Sequence, residues 1–360
     1  LVRAGHSCFE EIAGLLTHAP FPTRNLADNL ADLHAQLAAN LYGAERFEEL
    51  AGTQANKLRE HLDSILQHSA SVLQERISRI REGIAPQSLD DGSQICVQVL
   101  RLSDNRLRLD FTGTSATHPH NLNATRAIVS SAALYVLRLL LQEDLPLNEG
   151  LLEPVELVLP EGSLLNPRFS GDPARDPAVV GGNVEVSQRL VDTLIRALGL
   201  QACSQGTMNN FLFGNARFGY YETLAGGTGA GPGYAGSDAV HSHMTNTAIT
   251  DPEILEQRYP VRLRRFAIRH GSGGAGHWPG GCGVVREFEF LQPLTVSLLT
   301  QHRQSGPYGM EGGQDGKPGR QILTRGDGEP EILPSCTSFE VLPGDRVRIE
   351  TPGGGGWGAD

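Results

Sequence analysis

Lysine is nearly missing from this 360-residue chain: only Lys57 and Lys317 stand among its 30 Lys and Arg residues. A phosphate-cradling nucleotide loop needs Gly-Lys followed by Ser or Thr, whereas Gly316-Lys317 runs into Pro318, so no ATP site of that kind is encoded. Basic blocks are missing too, and a formal charge of -11 argues against a nucleic-acid partner. Cysteine is sparse: Cys8, Cys96, Cys203, Cys282 and Cys336 are odd in number, widely spaced and form no Cys-x-x-Cys pair. A disulfide framework is excluded on that pattern, and reduced thiols in a cytoplasmic protein are expected. No apolar run approaches the roughly 20 residues of a membrane span, and the N-terminus lacks a basic-then-apolar signal. No serine occupies a Gly-x-Ser-x-Gly elbow; Ser272 in Gly271-Ser272-Gly273-Gly274 lacks the flanking strand and helix, which disfavours a serine hydrolase.

What is present reads as α+β. Over residues 1–88 apolar residues recur at helical steps, first at Leu26, Leu30, Leu33, Leu37 and Leu41 after a candidate Asn25 cap, then from Leu58 through Ile80. Two such stripes make a helical arm. They serve either packing within the chain or a partner interface, and internal packing is the expectation. Residues 89–200 read as a mixed α/β unit: strands over 95–101 and 106–111 around a Ser103-Asp104-Asn105 turn, a buried helix over 124–142, a strand over 155–159, and a helix over 186–198. Residues 201–360 hold 30 of the 43 glycines, with β-like runs at 261–268, 284–291, 294–301 and 346–350. This is a glycine-rich β region, and it carries the candidate site.

Three features there point to chemistry. Gly219-Tyr-Tyr-Glu-Thr223 places Glu222 among aromatic and polar neighbours, six glycines punctuate 226–236, and His241-Ser-His-Met-Thr-Asn-Thr247 brings two imidazoles two residues apart. On an extended strand His241 and His243 project from one face, which suits general acid-base or metal-ligand work; a buried polar network is the competing reading. Asn246, Asn183 and Asn210 offer amides for a ligand carbonyl, and Gly227 and Gly229 allow close approach of backbone N–H groups. His118 and His120 flank Pro119 in a weaker repeat of the motif.

Asn25 to Asn40, Asn148-Glu-Gly150, Val179-Val-Gly-Gly-Asn183, Gln205 to Asn210, Gly219 to Thr223, His241 to Thr247 with Asp251-Pro-Glu253, Arg269 to Gly276 and Thr351-Pro-Gly-Gly-Gly-Gly356 together resemble the hydantoinase B/oxoprolinase family. Nearly the whole chain takes part, and the Tyr-Tyr-Glu-Thr and His-Ser-His-Met wording is closer to the oxoprolinase branch than to the acetone-carboxylase branch. The resemblance implies an ATP-dependent cyclic amidohydrolase acting on 5-oxoproline or a hydantoin-like ring. An A-type partner, which holds ATP, phosphorylates the amide oxygen, and the B-type part completes hydrolysis. It further implies a divalent-metal site built from Asn-Asp-Pro-Tyr-like and His-x-x-Asp-like motifs upstream of Asn25. Neither motif occurs here, and Pro20-Phe21-Pro22-Thr23 corresponds to the end of that segment. The chain thus resembles the C-terminal two-thirds of a B-type protein, completed by an upstream B-type segment. A non-catalytic assembly module and an acetone-carboxylase-like subunit are the alternatives.

Overall fold

The computed structural model describes residues 1–18, 22–141, 143–172 and 174–359, so Pro20 and Phe21 of the segment just named, and Gln142 of the expected buried helix, lie outside the described residues. A small hairpin, β1 (Val2–Arg3) and β2 (His6–Ser7), leads into α1 (Phe9–His18) and then the arm, α2 (Leu26–Ala51) and α3 (Ala55–Ile77). Gly52 ends α2 with φ 46°, and its N–H bonds the Glu48 carbonyl. No residue of α1 or α2 is buried, and α3 becomes buried only from Ser69. The stripes pack inside this chain only in part: Leu26, Leu30, Leu33 and Leu37 are half-buried, whereas Leu41, Leu62 and Ile65, with neighbouring Tyr42, Phe47 and Leu50, remain exposed. The last helix of the arm, α3, ends at Ile77. Val72, Leu73 and Ile77 already belong to the core of the next unit.

That unit is a four-stranded sheet of order β3-β4-β5-β6, formed by β3 (Gly83–Ser88), β4 (Gln94–Arg101), β5 (Leu107–Asp110) and β6 (Val155–Val158). The first three strands pair antiparallel. β5 and β6 pair parallel, which requires a crossover, and α4 (Arg126–Leu139) lies in that connection. Ile95, Val97 and Val99 alternate along β4 into the core, where α5 (Ser187–Leu198) packs on β3 and β4 and α4 packs on α5. Among α5 residues only Arg196 escapes burial. A helix buried on its polar side as well as its apolar side must be covered twice, and its second cover comes from the C-terminal half.

There β7 (Asn210–Gly214), β8 (Gly219–Thr223), β9 (Val261–Arg269), β10 (Gly283–Phe290), β11 (Leu294–Leu299), β12 (Arg320–Thr324), β13 (Pro330–Leu333), β14 (Cys336–Val341) and β15 (Arg346–Glu350) form two sheets, β14-β11-β7-β8 and β13-β12-β15-β10-β9, with the helix α6 (Pro252–Arg258) between β8 and β9 in the chain. They share one core, in which Phe211 stacks on Phe288 at 4.6 Å between ring centroids. All five cysteines are free thiols, and among the described residues no helix is long and apolar enough to cross a membrane.

The glycines do something other than open loops. Segments 226–236, 272–281, 306–316 and 352–358 lie against one another with backbone touching backbone: Gly227 N–H donates to Pro352, Gly281 to Thr228, Gly354 to Gly281, Gly274 to Gly354 and Ala230 to Gly355. A Cβ on Gly227 would stand 1.9 Å from the Gly281 carbonyl oxygen, and one on Gly354 equally close to that of Thr228. Both neighbours are main chain, which cannot step aside. Gly227→Ala should therefore lose about 3 kcal/mol or more of stability. Gly233→Ala, exposed with φ 97° and open space around it, should lose about 1 kcal/mol from backbone strain alone. Urea denaturation of the two variants checks the ranking, and equal losses would contradict backbone packing as the cause.

Candidate functional site

Glu185, Gln188, Arg189 and Asp192 recur at i, i+3, i+4 and i+7, so they form one polar stripe along α5 and the π-helical turn Gly182–Val186 that precedes it. None is more than 1% exposed. The turn fits because Gly182 packs on the Asn123 carbonyl, where a Cβ would stand 2.3 Å from the oxygen. Extra-wide turns of this kind often mark functional sites.

Each member of the stripe has a partner from the C-terminal half. Glu185 Oε1 accepts from the Met208 N–H (3.0 Å) and from Asn210 Nδ2 (2.7 Å). Burial pushes its carboxyl up to about 7, against the opposing bonds from Thr207 and Met208 and the charges of Arg303 and Arg189. Gln188 Nε2 donates to the Ser242 carbonyl (3.0 Å). Arg189 donates to His302 Nε2, while His302 Nδ1 donates to the Ser305 carbonyl (2.8 Å), which fixes a neutral ring. Burial, then the Arg189 charge, hold that imidazole well below its usual range. Asp192 Oδ1 accepts from the Ser204 N–H (3.2 Å) and lies 3.3 Å from His243 Nε2. Several atoms here lack a hydrogen-bond partner: Glu185 Oε2, Gln188 Oε1, Arg189 Nε and Nη2, Asp192 Oδ2 and His243 Nε2. Such atoms are rare in protein interiors, and six of them lie along this stripe and at His243 beside it.

A cavity opens at each side of this stripe. The first, about 390 Å3, is lined by Tyr135, Leu134, Leu147, His243, Met244 and Asn246. His243 does not lie on an extended strand as expected: its φ is 57°, in a turn, so it and His241 do not share a strand face. The turn aims His243 between Asp192 and Tyr135, whose hydroxyl is 3.3 Å from Nδ1. An Nε2–H facing the Asp192 carboxylate leaves Nδ1 to accept from Tyr135. The second cavity, about 510 Å3, has apolar walls including Val180, Val184 and Leu298, and a polar end made by Asn210 and Tyr221. Tyr221 donates to Asn210 Oδ1 (2.7 Å), which links this cavity to Glu185.

The remaining expected residues are scattered. His241 is half-buried, with Nε2 3.4 Å from Thr247 Oγ1, and burial lowers its pKa. Glu222 sits inside the β-sandwich, bonded twice to Arg286 (2.9 and 3.1 Å) and accepting from Tyr220 (2.7 Å). Burial raises its pKa and Arg286 opposes that. The ion pair answers for this carboxylate, and Glu222 lines neither cavity. Asn183 is exposed on the π turn. Gly227 and Gly229 lie in the glycine array with their N–H groups bonded to Pro352 and Ser204. His118 bonds Asp91 (2.6 Å) away from both cavities. Asp192, Glu185 and Tyr135 escaped attention in the sequence; the i, i+3, i+4, i+7 polar spacing on an otherwise apolar helix was the available signal. Among the described residues no three His, Cys, Asp or Glu side chains converge as a metal-ligand set, and His243 with Asp192 supplies two, so no step below passes through a metal.

The elements define a mixed α+β fold in which two cavities flank one buried polar helix stripe. Residues 1–360 match the hydantoinase B/oxoprolinase family throughout, and the chain belongs to it. It is 41% identical to the 5-oxoprolinase of Dictyostelium discoideum over 99% of its own length, and 43% identical to 5-oxoprolinase 1 of Arabidopsis thaliana over 94%. In both cases it spans 28% of the relative's length. All of the chain superposes on the ATP-dependent caprolactamase from Pseudomonas jessenii with TM-score 0.83 and 23% identity, covering 65% of that chain, which establishes a common fold.

The Glu185 environment gives a measurable sign. A carboxyl raised to about 7 in the folded state, against 4.5 ordinarily, binds its proton more tightly folded than unfolded. Stability from this group is therefore present below the lower value and is lost as pH rises through the upper one. Glu185→Gln keeps an acceptor for Met208 and Asn210 but cannot ionise. Relative to the parent it should gain up to roughly 3 kcal/mol between pH 5 and pH 8, read by urea denaturation at each pH. A constant difference across that range would show that Glu185 titrates normally.

Proposed function

We propose that this chain completes the opening of a cyclic amide, 5-oxoproline or a hydantoin-like ring, after an A-type partner has phosphorylated the amide oxygen with ATP. Membership of the hydantoinase B/oxoprolinase family and the 5-oxoprolinase relatives support the reaction class. The observation that carries the reading is His243, held between buried Asp192 and Tyr135 on the wall of a cleft that Asn246 also lines.

An unactivated lactam is a poor electrophile, and O-phosphorylation leaves its ring carbon open to water. In the cleft Asn246 binds the ring's polar edge. Asp192 orients His243 and stabilises the cation it becomes on taking a proton. His243, directly or through the Tyr135 hydroxyl, takes a proton from the water that adds to the ring carbon and delivers it to the ring nitrogen as the C–N bond breaks. An acyl phosphate remains, whose hydrolysis frees phosphate. His241 and Glu222 support this loop and the adjoining sandwich from outside the cleft. The divalent metal that family membership implies belongs to the upstream B-type segment.

With the complex reconstituted from its A-type partner and upstream B-type segment, His243→Ala and Asp192→Asn should each lower ring opening by about 10²-fold or more, with ATP turnover by the partner surviving in part. Lower thermal stability with unchanged specific activity in the folded fraction would return His243 to a structural role. The exposed arm is the surface assigned to those partners, because Phe47 and Leu62 stay 50% and 39% exposed among the described residues. Phe47→Asp with Leu62→Asp should dissociate the complex in size-exclusion chromatography while the melting transition stays cooperative, since a buried unpaired charge costs several kcal/mol. An intact complex would place the partners elsewhere.

A further inference from the structure

Cations crowd the outer face of the sheet β13-β12-β15-β10-β9. A cavity of about 510 Å3 there is lined by Arg265, Arg269, Lys317, Arg320 and Arg348 around a single carboxylate, Glu350. Five cations facing one anion is a large local surplus in a chain of net charge -11. Glu350, 2% exposed, is shared by three of them: Arg269 Nε at 3.1 Å, Arg320 Nε at 2.6 Å and Arg348 Nη2 at 2.8 Å. One carboxylate thus orients three guanidiniums without neutralising them. Arg348 Nε is buried with no hydrogen-bond partner. Arg265 and Lys317 make no ion pair among the described residues. Glu287, opposite Arg265 in the strand register, is 4.0 Å from Arg346 instead.

Position reinforces this. Lys317, one of two lysines in the chain, is pinned to the wall by its own backbone: its N–H donates to the Ser272 carbonyl (2.7 Å) and its carbonyl accepts from Gly353 (3.2 Å). Arg269 is fixed by donating to the Pro318 and Thr351 carbonyls. Converging guanidinium forks and an ammonium suit a tetrahedral oxyanion, whose several oxygens can be met from different sides at once. The volume exceeds that of one phosphate, and Ile268 and Val285 provide an apolar wall for a substituent. None of these residues lines either cavity beside α5.

We propose that this pocket is a second ligand site, separate from the ring chemistry, which binds a phosphate-bearing small molecule. The test is calorimetric titration of the 360-residue chain with inorganic phosphate, pyrophosphate and succinate, at ionic strength matched with chloride. Saturable binding is expected for phosphate and more tightly for pyrophosphate, with succinate weaker. Arg265→Gln with Lys317→Gln, which leaves the Glu350 cluster untouched, should weaken pyrophosphate binding by at least about tenfold while the melting temperature without ligand stays unchanged. No heat beyond the chloride control, equal binding by the double variant, or succinate binding as tightly as phosphate would each overturn the proposal.

Discussion

Everything around α5 depends on main chain meeting main chain in the glycine array. The segment Ala202-Cys203-Ser204 follows α5 and is held entirely by it: Ala202 N–H bonds Ala230, Cys203 N–H bonds Tyr308, the Cys203 carbonyl accepts from Gly355, and Ser204 Oγ accepts from Gly229. Ser204 N–H then donates to Asp192. A Cβ on Gly227, Gly229 or Gly354 would stand 1.9 Å from a backbone oxygen of a neighbouring segment and would push the segments apart by more than a hydrogen bond can stretch. The array therefore fixes the orientation of the Asp192 side chain, and it does so with stiff backbone in place of rotatable side chains.

Two buried ion arrangements in the same half of the chain show what that rigidity is used for. Glu222 and Arg286 form a two-pronged pair with Tyr220 adding a third bond to the carboxylate, and aromatic rings surround the guanidinium at 4.8 and 5.1 Å. Such a pair offsets most of its own desolvation and holds two sheets in register. The α5 stripe is the opposite case. Arg189 meets a neutral imidazole where a carboxylate would satisfy it better, and Asp192 meets His243 at a distance that leaves one oxygen unpaired. A stripe so poorly self-satisfied is stable only because packing on both sides prevents its escape to water.

The sequence revealed elements wherever a single periodicity governed them. β4, β9, β10 and β15 read correctly because apolar alternation survives on one face, and α4 and α5 because their apolar positions repeat at helical steps. β3 was hidden by Pro86, and β7 and β8 by glycine and asparagine at their ends, residues that ordinarily mark loops. Glycine density correctly pointed to close backbone approach, but the approaching group is another backbone, a contact that composition cannot distinguish from a ligand. His243 was visible as a polar residue in a glycine-rich setting, and its left-handed turn was not, because histidine tolerates that conformation without requiring it. Asp192 lies on a helix far away in sequence, so no spacing rule could join the two.

The stripe also connects its two cavities. Tyr221 reaches Glu185 through Asn210 at one end, and Tyr135 reaches Asp192 through His243 at the other. Seven residues of helix separate the two carboxyls, about 10 Å at 1.5 Å per residue. Two unit charges at that distance interact by roughly 2 kcal/mol in a medium of effective dielectric 20. Arg189 lies between them along the helix, and its charge opposes the upward push that burial gives the Glu185 carboxyl. Ionisation of Glu185, poised at about 7, therefore changes the electrostatic field at the Asp192 end of the stripe. The polar face of one helix thus joins, through hydrogen bonds and close charges, two openings that share no lining residue.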